Sequence, residues 1–534
     1  MAPTLLIGLD GATFSVLDPY VERGVMPFLG SLTERGTRAG LRSIMPPLTP
    51  PAWTSMVTGK RPGGHGVFDF FQRDEPDDIH VRFANSQDVR SATVWSLASD
   101  AGMRVLSLNF PLMFPAPDVD GCVVPGGMMP WRQLRLGCHP AGLFDRLRAL
   151  PGFKPREMLD MELEVKAIDG CPEDEHLAYV QQHIERDLRW LEVARYLMVE
   201  EPAELTGVMF DGVDKLQHLC WRFIDPACRP AEPTAWEAEM IATCERYFRG
   251  VDAIMEELVA LAGPDATVVV ASDHGFGPSR DVFHVNSWLE REGHLAWMPD
   301  GGETGDGDDT AVGFAEMTRH VRAVDWSRTT AYAATPSSQG IHVVGRIPGT
   351  DEPMPEAARR ALADEIAGKL RALRRPHDDA PLATEVWTRE QAFPGPYAAL
   401  GPDVSMVLAD AGTISILPSS RIVARRPEPR GHHRWEGIFL AAGPGIRAGA
   451  SVDELAITDV APLLLHRLGL PVPDDMTGRV PVEILEPAEL AANPPRTVAA
   501  TFVPAPVPVP AGAALEPDEE ALVMERLRAL GYVE

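Results

Sequence analysis

The chain has 534 residues, of which 45% are hydrophobic and 24% are charged, and its formal net charge is -28. These proportions are typical of a soluble globular protein, and the length indicates two to three domains or one large domain with insertions. The negative charge excludes DNA and similar polyanions as expected partners, whereas a small anionic substrate remains compatible with bound metal cations.

The amino-terminal segment MAPTLLIGLD predicts a strand and not a signal peptide, because it lacks a basic start and a small-residue cleavage site. No run of roughly 18 apolar residues occurs, so we expect no membrane span. The six cysteines show no CxxC spacing. This pattern favours buried thiols in a reducing cytoplasm over a disulfide framework or a zinc ribbon.

Short apolar runs alternate along the chain with segments of helical periodicity. This alternation predicts an α/β fold in which helices cover both faces of a parallel sheet. The clearest predicted strands are residues 4–10, 103–109, 205–211, 266–273 and 437–443, and the clearest helices are residues 179–199 and 235–261.

Two regions interrupt the alternation and are predicted insertions, residues 126–200 and 291–400. The second opens with DGGETGDGDD, which is typical of a surface loop. We therefore predict a catalytic domain over residues 1–485, in which the insertions form caps over the active edge. A linker rich in Pro and Ala follows at residues 486–516, and an amphipathic helix follows at residues 517–534.

Aspartate and histidine residues follow several of the predicted strands. In an open α/β sheet, ligands bind at the carboxyl ends of the strands. Taken singly, each residue has a common structural interpretation such as a turn or a helix cap, but four such places on one edge favour a shared site. Mixed carboxylate and imidazole ligands fit two divalent cations. The residues are Asp10, Asp211, Asp214, His218, Asp273, His274, His432 and His433.

The segment MPPLTPPAWTSMVTG, residues 45–59, places Thr49 between two proline pairs at the start of a predicted helix. Prolines are tolerated there, and the N–H groups and dipole of a helix N-terminus favour an anion. Helix capping is the commoner interpretation of such a threonine. Beside two metal ions, however, its hydroxyl is a candidate nucleophile for phosphoryl transfer.

The order of Asp10, TPPAWTSMVTG, DGVDKLQH, SDHG and GHHR resembles the alkaline phosphatase superfamily, most closely its type I phosphodiesterase/nucleotide pyrophosphatase-like branch. The resemblance spans residues 4–480. It implies a three-layer sandwich with a largely parallel central sheet and inserted cap regions. It also implies a metal-dependent hydrolase that forms a covalent phosphothreonine with a small phosphate ester.

The resemblance also implies two ligand sets for zinc, with manganese as the alternative metal. The family spacing Asp-x-x-x-His favours Asp214 over Asp211, and the segment HRWEGIF favours His433 over His432. The first set is Asp214, His218 and His433, and the second is Asp10, Asp273, His274 and the hydroxyl of Thr49.

Departures from the family narrow the predicted function. The absence of a C/S-x-P-x-R motif disfavours a sulfatase. Nucleotide pyrophosphatases carry a phosphate-binding asparagine where this chain has Asp69-Phe70, and Asn109 is a candidate replacement or an ordinary loop residue. This difference disfavours classical nucleotide diesters as substrates but leaves the two-metal core intact, and a phosphodiesterase acting on another small ester is the preferred function. The alternatives are a phosphomonoesterase, a phosphomutase resembling cofactor-independent phosphoglycerate mutase, and a binding module with a vestigial metal site.

Overall fold

The computed structural model describes residues 3–127, 129–299 and 320–502. Eight strands form a central sheet in which Glu436–Ala442 runs antiparallel to both neighbours and the other pairs run parallel. This confirms the predicted α/β class with a largely parallel sheet. In spatial order the strands are Ala450–Ala456, Gly36–Arg42, Glu436–Ala442, Thr267–Ala271, Thr4–Leu9, Leu205–Phe210, Val105–Leu108 and Gly121–Val124.

The central strands are buried on both faces, which explains why they read as continuous apolar runs. In Thr4–Leu9 every residue is buried. Leu5, Ile7 and Leu9 pack into one hydrophobic cluster, whereas Leu6 packs into another on the opposite face of the sheet. The alternation follows the two-residue period of a strand and produces the three layers of the sandwich.

Helices make up both outer layers. His176–Glu200 and Ala235–Ala262 pack against one another and confirm the two predicted long helices. The other α-helices of the described residues are Phe14–Glu22, Pro27–Arg35, Thr49–Thr58, Pro62–His65, Val94–Asp100, Leu134–Gly137, Leu143–Leu147, Pro155–Met158, Met161–Asp169, Gly212–Ile224, Val285–Arg291, Glu356–Ala372, Arg389–Ala392, Val460–Arg467 and Pro487–Ala492.

The two predicted insertions differ in how they are built. The first packs into the same hydrophobic cluster as the central sheet, through residues such as Trp190 and Leu197. The second has a separate hydrophobic core that includes Ile341 and Ile366, and Met406, from beyond the predicted end of the insertion, packs into the same core. Its four-stranded sheet has the order Ala331–Tyr332, Gly340–Val343, Val404–Leu408 and Ala383–Thr388, and a three-stranded sheet of Thr413–Ser415, Gly275–His284 and Val423–Arg434 adjoins it.

Several predicted segments lie partly or wholly outside the described residues. The predicted surface loop at residues 300–309 and the predicted helix at residues 517–534 are among them. Within the predicted linker, Thr497–Val498 pairs in parallel with Val472–Pro473. In the described ranges, no helix has both the length and the hydropathy needed to cross a membrane.

Candidate active site

Three neighbouring parallel strands bring their carboxyl ends together at one edge of the central sheet. Thr4–Leu9 lies between Leu205–Phe210 and Thr267–Ala271, and it pairs in register with both. Asp10 directly follows the strand Thr4–Leu9, and Asp273 lies in the three-residue loop after the strand Thr267–Ala271. Residues far apart in sequence therefore meet at this edge, as the strand pattern predicts.

The first group of side chains consists of Asp214, His218 and His433. Asp214 and His218 lie one turn apart on the helix Gly212–Ile224, whereas His433 comes from the strand Val423–Arg434. Asp214 Oδ1 is 3.5 Å from His218 Nε2 and 3.2 Å from His433 Nε2. The two imidazole Nε2 atoms are 3.0 Å apart, so three potential ligand atoms face one small volume.

The second group consists of Asp10, Asp273 and His274, all of which are buried. His274 Nε2 lies 3.5 Å from Asp10 Oδ1 and 3.3 Å from Asp273 Oδ2. It also lies 4.0 Å from Asp214 Oδ1, so the two groups adjoin. These two groups contain the same Asp and His residues as the two ligand sets that the family resemblance implies.

Each of the three carboxylates keeps one oxygen without a hydrogen-bond partner. These atoms are Asp10 Oδ1, Asp214 Oδ1 and Asp273 Oδ2, and all three are buried. They are the same oxygens that face the imidazole Nε2 atoms. Buried carboxylate oxygens without partners are costly unless a cation compensates them, so the donor set fits divalent metal ions.

The imidazole rings are oriented by contacts with backbone carbonyl groups. His433 Nδ1 lies 2.8 Å from Pro47 O, and His274 Nδ1 lies 3.2 Å from Gly275 O. A proton on Nδ1 that donates to a carbonyl leaves the lone pair of Nε2 available for a metal. Both rings therefore present the nitrogen that a ligand requires.

The electrostatics of this edge also favour a bound cation. Burial, followed by the charges of Asp273 and Asp214, raises the pKa of the Asp10 carboxyl well above its usual range. Burial raises the pKa of Asp273 to about 8. Burial acts in the same direction on Asp214, but His218 and His433 outweigh it and hold the pKa of that carboxyl well below its usual range. Positive charge at this edge lowers the cost of ionising all three groups.

Thr49 is the first residue of the helix Thr49–Thr58 and lies beside the second group. Its Oγ1 is 3.5 Å from His274 Nε2. Leu48 occupies the cap position, and no side chain caps the helix. The hydroxyl of Thr49 is thus not used as a helix cap and faces the Asp/His cluster instead.

The expectation that several N–H groups at this helix N-terminus would cradle an anion is wrong. Pro50 and Pro51 have no N–H, and the N–H of Ala52 donates to Leu48 O. Among the first four helical positions, only Thr49 retains an N–H for a ligand. Positive charge for a bound phosphate must therefore come mainly from other groups.

Other sequence-predicted residues lie outside the two groups. The ring of His432 stacks on that of His433, with 5.1 Å between centroids, but His432 contributes no atom to either group. Asn109 is fully buried, and its Nδ2 donates to Met209 O at 2.8 Å. Asn109 has no hydrogen bond to the cluster, and its role in substrate binding stays a prediction.

Sequence reasoning missed three residues that support the cluster. Trp53 Nε1 donates to Asp10 Oδ2 at 3.3 Å, and Gln217 Nε2 donates to Gly11 O at 2.7 Å. Both lie inside the quoted motifs, one helical turn after Thr49 and directly before His218, so their positions were the available signal. The third is Arg186, which no motif marks.

Arg186 and Asp187 connect the first insertion to the helix that carries Asp214. Arg186 Nη2 donates to Asp211 Oδ2 at 2.9 Å, and Tyr247 OH donates to Asp187 Oδ2 at 2.7 Å. The packing is tight, because a Cβ on Gly212 would lie 2.3 Å from the tyrosine oxygen. Asp211 thus ties Arg186 to the start of the helix that carries Asp214 and His218.

This network predicts an unusual pH dependence of stability. Burial, with a further contribution from Asp211, raises the pKa of Asp187 from 3.8 to about 7. The folded protein therefore binds more protons than the unfolded chain between these values, and the contribution of Asp187 to stability falls as the pH rises through them. We expect Asp187→Asn to gain stability relative to wild type between pH 5 and pH 8, by up to about 3 kcal/mol.

Urea unfolding of both proteins across this pH range measures the difference. Asp100→Asn, which changes an exposed carboxyl, is the matched control. A constant difference between the Asp187→Asn and wild-type curves would contradict the assignment.

Comparisons with known proteins identify the family and agree with the fold. Residues 4–435 match the profile of the family described as type I phosphodiesterase/nucleotide pyrophosphatase. Murine ectonucleotide pyrophosphatase/phosphodiesterase 5 has a similar structure, with a TM-score of 0.51 and 14% identity over 91% of this chain and 100% of that chain. Phosphonoacetate hydrolase from Sinorhizobium meliloti 1021, in complex with phosphonoformate, has a TM-score of 0.50 and 17% identity over 86% and 94% of the two chains. At these identities the structural likeness shows a shared fold.

Proposed function

The chain belongs to the type I phosphodiesterase/nucleotide pyrophosphatase family and is a phosphoric ester hydrolase, and we propose that it cleaves a small phosphodiester through a covalent phosphothreonine at Thr49. The observation that carries the proposal is the position of the Thr49 hydroxyl, 3.5 Å from His274 within the double Asp/His cluster. A hydroxyl that is not used as a helix cap is free to act on a ligand at this edge.

The two Asp/His groups would hold two divalent metal ions, and we propose zinc, with manganese as the alternative. Mixed oxygen and nitrogen ligation suits both metals. When bound, two such ions stabilise negative charge on the attacking and leaving oxygens of a phosphoryl transfer. The proposed ligands are Asp214, His218 and His433 for one ion, and Asp10, Asp273, His274 and Thr49 for the other.

The residues of the chain account for the proposed steps. Thr49 Oγ1 forms a bond to phosphorus while the bond to the leaving oxygen breaks, and the threonine proton ends on the released alcohol. Water then cleaves the phosphothreonine, which restores the hydroxyl and releases the phosphoryl product. Trp53 holds Asp10, and the carbonyl of Pro47 holds His433, so the reacting geometry is fixed before the substrate binds.

A phosphomonoesterase is the second candidate, and Lys215 is the observation that favours it. Its Nζ lies 3.9 Å from Asp214 Oδ2, and its side chain is 16% exposed. A cation at this edge would stabilise the additional negative charge of a monoester. No comparable observation favours a phosphomutase.

We also propose a reducing, cytoplasmic location, which the free thiols of all six cysteines support.

A paired assay tests the proposed function. On zinc-reconstituted and manganese-reconstituted protein, we expect bis-p-nitrophenyl phosphate to be cleaved with a kcat/KM at least about tenfold higher than p-nitrophenyl phosphate, a difference of about 1.4 kcal/mol in transition-state stabilisation. The opposite preference would establish the monoesterase alternative. Hydrolysis of neither ester by the metal-loaded protein would contradict both.

A further inference from the structure

A small pocket with a mixed polar and apolar lining lies where residues 68–73 meet the second insertion. Its polar lining residues include Asp69, Gln72, Arg73, Ser338 and His342. None of the proposed metal ligands lines it, so its residues differ from those of the Asp/His cluster.

Arg73 places a buried positive charge in this pocket without a carboxylate in direct contact, and the charges of Asp403, Arg359 and Arg389 act on it only from beyond ion-pair distance. The residue is only 6% exposed. Its Nη2 donates to Tyr332 OH at 2.9 Å and its Nη1 donates to Pro76 O at 3.4 Å, and both acceptors are neutral. Arg73 forms no ion pair within the part of the chain that the structure describes. A desolvated guanidinium of this kind is strongly stabilised by a bound anion.

Three other side chains of the pocket have polar atoms without hydrogen-bond partners. They are Gln72 Nε2, Ser338 Oγ and His342 Nδ1, on residues that are 3%, 4% and 6% exposed. An amide nitrogen only donates, and a hydroxyl can donate. Gln72 Nε2 and Ser338 Oγ can therefore both donate to a ligand with acceptor oxygens, such as an oxyanion.

Asp69 is the carboxylate of this pocket, and its oxygens already have donors. Thr335 Oγ1 donates to Oδ2, while Ser337 Oγ and the N–H of Phe70 donate to Oδ1. Asp69 therefore holds the loop of the second insertion in place. The charge of Arg73 remains available for a ligand.

We propose that this pocket binds a small oxyanion, a phosphate or a carboxylate, with Arg73 as its counter-ion and with Gln72 and Ser338 as neutral donors. The lining residues come from both sides of the seam. A bound anion therefore links residues 72–73 of the catalytic region to the loop and strand that carry Ser338 and His342 in the second insertion.

Calorimetric titration of the 534-residue chain with inorganic phosphate and, separately, with acetate tests the proposal. Metal is first removed with a chelator, because the Asp/His cluster would then repel anions and leave the pocket as the expected site. We expect one of the anions to bind with a dissociation constant of about 1 mM or tighter. The anion that binds more tightly shows whether the pocket prefers a phosphate or a carboxylate.

Arg73→Gln is expected to weaken that binding at least about tenfold. Arg90→Gln is the matched control. Arg73 and Arg90 each lie over a tyrosine ring, of Tyr332 and Tyr397 respectively, but Arg90 does not line the pocket. Should Arg73→Gln fail to fold, Ser338→Ala decides the question through an expected loss of about threefold or more. The proposal is overturned if neither anion binds to the wild-type chain, or if the pocket variants that fold bind as tightly as the wild type.

Discussion

Replacement of Thr49 by alanine is expected to lower kcat for the preferred ester by at least about 10³-fold without unfolding the protein. The substitution removes the proposed nucleophile and one methyl group. It removes no helix cap, because Leu48 occupies the cap position and no side chain caps the helix Thr49–Thr58. Hydrolysis of bis-p-nitrophenyl phosphate by the metal-reconstituted variant measures the loss, and urea unfolding confirms that the fold is retained.

Two variants sharpen this test. Thr33→Ala is the control. Thr33 lies in the helix Pro27–Arg35, where its Oγ1 donates to Leu29 O, and the variant is expected to keep wild-type activity. Thr49→Ser retains a hydroxyl and is expected to retain more activity than Thr49→Ala. Acid quenching during turnover of bis-p-nitrophenyl phosphate should trap a p-nitrophenyl phosphoryl group on Thr49, which mass spectrometry detects. Undiminished hydrolysis by Thr49→Ala would refute the nucleophile assignment.

Much of the fold was predictable because the central strands are buried on both faces. The run TLLIGLD predicts a strand over residues 4–10, and the structure has Thr4–Leu9. The difference at the end is physical, since Asp10 leaves the ladder and presents its carboxyl at the sheet edge. The strand at Gly36–Arg42 was not predicted, because TRAGLR lacks a continuous apolar run.

The grouping of candidate ligands was also predictable, because strand ends in a parallel sheet converge. A single sequence predicts that these residues share one edge of the sheet, but it does not give the distances between their ligand atoms. The choice of Asp214 over Asp211 came from family spacing, and in the structure Asp214 faces two imidazoles while Asp211 accepts from Arg186. Arg186 itself was not predictable, since its contact joins two helices that no local pattern relates.

The pocket at the seam of the second insertion was beyond sequence reasoning for a similar reason. Arg73 and His342 lie 269 positions apart in the printed sequence and meet only because the insertion folds back onto the catalytic region. A lone arginine after FDFFQ is usually a solvated surface residue. Only burial without a carboxylate partner distinguishes it.

His433→Gln is expected to lower kcat/KM at least about 10²-fold and to reduce the bound metal from about two ions per chain to about one. His433 Nε2 lies 3.2 Å from Asp214 Oδ1, and its Nδ1 is held by Pro47 O, so the ring is held in the orientation that the proposed ligand needs. Elemental analysis of dialysed protein measures the metal content independently of activity. Complete chelation is expected to abolish hydrolysis, and added zinc or manganese is expected to restore it.

His432→Gln is the matched control, because the neighbouring imidazole stacks on His433 yet contributes no atom to the Asp/His group. We expect this variant to keep its metal content and to remain within about tenfold of wild-type kcat/KM. A larger loss of metal in His432→Gln than in His433→Gln would reverse the assignment of the ligand. Equal and small losses in both would show that Asp214 and His218 bind this ion without a ligand from the strand Val423–Arg434.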